Sequence, residues 1–133
     1  MIIRLFSTQR PKRAVFLGSP SFAADTLKTL HAKSKLYNFD LVAIVTQPCC
    51  SINGPTPVEK LSRKLGLPEV LTPTTPRDVE FLNRIKDLKP DICLTAAYGG
   101  FLPRSFLEIP PMGVYNIHPS LLPLYRGAAP VQR

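Results

Sequence analysis

No stretch of the 133 residues comes near the ~18 consecutive apolar residues that a membrane-spanning helix needs, which excludes a helical span. Cysteine is scarce. Cys49, Cys50 and Cys93 are odd in number and in no C-x-x-C spacing, so neither a disulfide framework nor a zinc site is written here. Cys93 lies inside the apolar run Ile92-Cys93-Leu94, the setting of a buried, inert thiol and not of a nucleophile. A reducing compartment suits such a set. Gly18-Ser19-Pro20 does not complete G-x-G-x-x-G, so a dinucleotide cradle is not expected. Internal repeats and low-complexity stretches are absent. Acidic residues are few, 9 against 17 basic, for a net charge of +8. Arg4, Arg10, Lys12 and Arg13 fall in an acid-free opening, and the remainder carries +4 (that total less these four). Such a surplus permits a nucleic-acid partner without requiring one. The opening also holds Ile2, Ile3, Leu5, Phe6, Ser7 and Thr8. That composition is either an organelle transit peptide or a solvated basic tail. The domain proper is then expected over residues 14–133.

What is abundant is proline, 15 residues that punctuate short apolar runs and call for many short elements with tight connections. Residues 13–18 (RAVFLG) read as a buried strand, and Ser21 is placed to cap a helix over 22–33, where Ala23, Leu27 and Leu30 recur at helical spacing. Residues 41–46 (LVAIVT) suit a strand covered on both faces. Thr56-Pro57-Val58-Glu59 is a capping box with proline at the first helical position; Val58, Leu61 and Leu65 make its apolar stripe and Gly66 its stop. Thr75-Pro76-Arg77-Asp78 repeats the start signal for a helix carrying Phe81, Leu82, Ile85 and Leu88 and ending before Pro90. Residues 91–97 (DICLTAA) and 113–117 (GVYNI) complete the strands. Apolar strands alternating with amphipathic helices imply an α/β domain, a doubly wound, mostly parallel sheet with helices on both faces. Ligands of such folds lie beyond the carboxyl ends of the strands. The run 127–133 looks like a helix that opens and does not continue. The sheet would then expose an apolar edge strand, which points to an incomplete domain.

The last strand ends in Asn116-Ile117-His118. Residues i and i+2 of a strand share a face, so the amide and the imidazole project together. An amide donates hydrogen bonds at any pH, and an imidazole titrates near neutrality. The pair suits a carbonyl that becomes an oxyanion while a nucleophile loses a proton. A structurally satisfied Asn–His pair is the plain alternative. Other candidates read more simply. His31 in the last turn of a helix suits the helix dipole, and Lys60, Arg63 and Lys64 form a solvated helix face or, less simply, an RNA-facing one.

The stretch Asn116 to Pro123, NIHPSLLP, resembles the signature of the enzymes that transfer the formyl group of 10-formyltetrahydrofolate to an amine. Tyr125-Arg126-Gly127-Ala128-Ala129-Pro130-Val131-Gln132-Arg133 resembles the branch of that family acting on methionyl-tRNA. FLGSPSFA from Phe16, VTQP from Val45 and AAYGGFLP from Ala96 agree with that branch in order.

The resemblance implies a Rossmann-like formyltransferase N-terminal domain. Asn116 and His118 would be two of three catalytic residues. Ser120, Leu121, Leu122 and Pro123 would contact tetrahydrofolate, with the Tyr98-Gly99 backbone near the pteridine. Phe22 and Arg126 would face tRNA. It further implies a monomer with no metal and no membrane. The setting would be a mitochondrion or other organelle with bacteria-type translation, or else the cytoplasm. The family's third catalytic residue, an aspartate, and its tRNA-gripping C-terminal domain would fall beyond Arg133, so this stretch alone would be weakly active. The family's basic, glycine-containing loop before the second helix is here CCSINGP, without Lys or Arg. Another formyl-folate hydrolase or transferase, or a non-catalytic fragment, are the alternatives.

Overall fold

The computed structural model describes residues 9–49 and 52–119. Five strands, β1 (Lys12–Gly18), β2 (Phe39–Val45), β3 (Val70–Leu71), β4 (Ile92–Ala96) and β5 (Val114–Asn116), form one sheet in the order β3-β2-β1-β4-β5. Every neighbouring pair is parallel. Helices α1 (Ser21–Lys33), α2 (Pro57–Lys64), α3 (Val79–Leu88) and α4 (Arg104–Leu107) connect them. The expected doubly wound architecture is therefore present.

β1 is central, and Ala14 to Leu17 are almost wholly buried because both sheet faces are covered. Its side chains alternate between two cores. Ala14 and Phe16 pack with Ala23 and Leu27 of α1 and Val58 of α2. Val15 and Leu17 pack with Phe81, Ile85 and Leu88 of α3 and Phe106 of α4. The rings of Phe81 and Phe106 stack with centroids 5.9 Å apart. Burying each such aromatic contributes about 1.5–3 kcal/mol, so α4, only four residues long, is held by packing and not by propensity.

Several local expectations change. Ser21 does not cap α1. It is the first helical residue, and Pro20 occupies the cap position without a side-chain bond. The third helix starts at Val79, not at the Thr75 signal, because the Thr75 hydroxyl accepts from Arg77 N–H and closes a turn, leaving Asp78 to cap through Glu80 N–H. Half of the Thr56 capping box forms. Thr56 Oγ1 accepts from Glu59 N–H, while the Glu59 carboxylate turns to Arg63. Ala97 leaves β4 at φ +47, so that strand is shorter than expected. The two-residue β3 and α4 had no periodicity to reveal them.

The amino ends of the strands are tied by Asp91. It accepts from Arg13 N–H at 2.7 Å and from both Arg10 guanidinium nitrogens at 2.8 Å. These donors hold its carboxyl well below the usual range, the Arg10 hydrogen bond first. A lowered folded value means stability that is present above the ordinary aspartate pKa and is lost as pH falls below it. Asp91→Asn should therefore cost about 1.5–3 kcal/mol at neutral pH, and the gap from the parent should close as pH drops through about 4 and lower. Arg10→Ala, whose side chain is 64% exposed and screened by solvent, should cost much less than Asp91→Asn. Denaturant melts across pH check both, and a gap that stays constant with pH would remove Asp91 from this role.

Candidate active site

The carboxyl ends of β1, β2 and β4 are stitched together by hydroxyls. Ser19, just past β1, donates to the Tyr98 carbonyl at 3.0 Å and accepts from Gln47 N–H at 3.2 Å. Gln47 Nε2 adds a second donor to the same carbonyl at 3.3 Å. Thr46, wholly buried at the end of β2, lies 2.6 Å from the Thr56 hydroxyl and donates to Ser19 Oγ at 3.4 Å. The loops that follow three strands thus share one polar seam, and the cap of α2 belongs to it.

The turn after β4 is held in unusual backbone. Ala97 sits at φ +47, a left-handed conformation that costs a non-glycine residue about 1 kcal/mol or more. Gly99 follows at φ +87. The Tyr98 ring is buried, 4% exposed, its hydroxyl lacks a partner among the described residues, and burial pushes the phenol's pKa up. A side chain at Gly100 would put its Cβ 2.7 Å from the Tyr98 ring and 3.1 Å from the Gln47 amide. The turn therefore presents bare backbone next to the Gln47 side chain.

Asn116 closes β5 opposite Thr95 of β4, and its side chain is exposed. The Thr95 hydroxyl donates to Asn116 Oδ1 at 2.8 Å. Ile117 N–H continues the ladder to the Thr95 carbonyl at 2.7 Å, and the Ile117 side chain turns to the α1 core. Val114, on the other face, packs into the α3 core. Alternation places Asn116 with Val114 on the α3 face; β5 ends at Asn116, shorter than the expected 113–117, so His118, half-buried, lies two residues past the strand and alternation does not fix its face. Phe22, 37% exposed, borders a hollow of about 400 Å³ together with Thr26 and Ile117. Larger hollows, of about 540 and 660 Å³, lie at the amino ends around Asp91 and Asp40, away from this chemistry.

The site residues read from sequence divide accordingly. Asn116 and His118 extend the β5 end, and Tyr98 and Gly99 form the turn after the adjacent β4. Phe22 stands on the α1 side. Ser120, Leu121, Leu122, Pro123 and Arg126 lie outside the described residues. Cys93 is buried with its thiol pushed up to about 12, which suits an inert role. Sequence reasoning missed Thr95, and it marked the segments holding Ser19 and Gln47 without giving either side chain a role. Thr95 is a lone hydroxyl in an apolar strand, a signal of a sort, but only the strand register discloses its partner.

A model of the formyl transferase family matches residues 12–133. The chain belongs to the formyl transferase family. Among curated relatives, the methionyl-tRNA formyltransferase of Roseiflexus castenholzii is 49% identical over 124 residues, covering 90% of this chain and 38% of that protein. That of Kosmotoga olearia is 42% identical over 126 residues, covering 91% and 39%. The chain therefore spans under two-fifths of these relatives. Glycinamide ribonucleotide transformylase 1 from Symbiobacterium toebii superposes with a TM-score of 0.71 at 20% identity, over 90% of this chain and 57% of its own. Phosphoribosylglycinamide formyltransferase from Bacillus halodurans gives 0.71 at 19%, over 91% and 63%. These two share the family's fold.

Proposed function

We propose that this chain forms the formyl-transfer part of a methionyl-tRNA formyltransferase, with 10-formyltetrahydrofolate and methionyl-tRNA as substrates. The observation that carries it is the exposed Asn116 amide at the β5 tip, with His118 two residues on, in a chain 49% identical to a curated enzyme of that name. Asn116 donates to the formyl oxygen as it becomes an oxyanion. His118 accepts the proton that the attacking amine gives up, and the folate nitrogen departs with a proton in its place. The amine is itself the nucleophile, so no covalent enzyme intermediate is required. Ser120, Leu121, Leu122, Pro123 and the Tyr98-Gly99 backbone hold the folate. Phe22 and Arg126 face the tRNA.

A monomeric catalytic portion, expected from residue 14 but opening with β1 at Lys12, completes the reading behind a basic opening. The arginine-rich, acid-free opening supports a mitochondrion or similar organelle as its setting. Competition tests the substrate. The complete protein that carries this chain should formylate methionyl-tRNA from 10-formyltetrahydrofolate and leave small amines unmodified. Formylation of a small amine but not of methionyl-tRNA would assign it to another formyl-folate enzyme.

A further inference from the structure

We propose that Thr95 is a positioning residue for Asn116, its hydroxyl fixing which end of the amide faces the reacting carbonyl. This deepens the proposed function and rests on that role for Asn116.

An asparagine amide has two chemically opposite ends, an oxygen that only accepts and a nitrogen that only donates. The two are nearly identical in shape, so an exposed amide free to turn would present the wrong end part of the time. Presented oxygen-first, it would repel a developing oxyanion. Thr95 removes that freedom. It is the register partner of Asn116 on β4, on the same sheet face, and its hydroxyl donates to Oδ1 at 2.8 Å. With Oδ1 engaged by Thr95, Nδ2 is the end turned away from that hydroxyl.

Thr95 is itself immobile. It is 8% exposed on a strand paired on both sides, and its β-branched side chain has few rotamers there. Its own carbonyl takes Ile117 N–H at 2.7 Å, so one residue fixes the backbone beyond Asn116 as well as the amide. An exposed catalytic amide is thus oriented by a buried hydroxyl on the neighbouring strand.

The test is Thr95→Val in the complete protein, which keeps the branched shape and removes the hydroxyl. Formyl transfer to methionyl-tRNA should lose about tenfold in kcat, with KM for 10-formyltetrahydrofolate changed less than about twofold. Thr95→Ser should recover most of the loss. In an Asn116→Ala background, Thr95→Val should have no further effect, since the group it orients is gone. Should the valine variant not fold, Thr95→Ala against Thr95→Ser reads the same difference. A hydroxyl-less variant with unchanged kcat, or an equal loss in the Asn116→Ala background, overturns the role of Thr95. Full activity in Asn116→Ala itself would instead overturn the assignment of Asn116.

Discussion

His118→Ala in the complete protein is expected to lower kcat for methionyl-tRNA formylation by about a thousandfold, within the range that removal of a proton-transfer group produces. Binding of the formyl donor should change by no more than about twofold. An amine that attacks a formyl carbon must shed a proton as its nitrogen becomes an amide, and imidazole is the one side chain of ordinary pKa suited to that near neutral pH. The placement supports the role. His118 follows directly on the Ile117 ladder bond to Thr95, and the Ile117 side chain is anchored in the α1 core, so the backbone entering His118 is held from two directions. A packing role predicts a different pattern, in which folate binding, turnover and melting temperature fall together. Isothermal titration with the donor beside steady-state kinetics separates the two cases.

The long elements could be read because burial leaves a period in the sequence. Residues 14–17 and 41–45 are apolar at every position, as strands covered on both faces must be, and α3 shows its stripe at Phe81, Ile85 and Leu88. The elements that could not be read, β3 and α4, are two and four residues long, shorter than any period. Caps failed where the helix start shifted or the hydroxyl was engaged locally. Thr75 serves its own turn, while Ser21 falls one residue inside α1 and leaves Pro20 at the cap. The site shows the same division. Asn116 and His118 stand out in the sequence as i and i+2 at a strand end, although β5 itself stops at Asn116. Thr95 and Asn116 are 21 residues apart in sequence and meet only because β4 and β5 pair in that register. Ala97 is the sharpest case. Its composition says strand, and its φ of +47 marks the point where the chain turns out of the sheet.

Gly18→Val should lower the melting temperature by about 10 °C or more, and Gly18→Ala by roughly a third to two-thirds of that. The sequence offers Gly18 as a strand terminator, and conformational freedom is the usual reason for such a glycine. Here the reason is space. A Cβ at Gly18 would lie 2.6 Å from Ala23 Cβ, 2.8 Å from the Ala96 carbonyl oxygen and 3.0 Å from the Phe16 ring. Two of these neighbours, the Ala96 backbone in β4 and Ala23 in α1, cannot swing aside as a flexible side-chain tip could. Gly66 is the contrast: a Cβ there meets nothing within 4 Å, but φ is +67, so Gly66→Ala should cost about 1 kcal/mol through backbone strain alone. Ala23→Gly should partly rescue Gly18→Ala and do nothing for Gly66→Ala. A Gly18→Ala protein that melts with the parent would mean that α1 and β4 do not approach β1 as closely as described. The consequence reaches the site, because Ser19 follows Gly18 and clasps Tyr98, two residues past Ala96. Pushing α1 away from β4 would pull that hydroxyl off the Tyr98 carbonyl, so the turn after β4 should loosen before the rest of the domain unfolds.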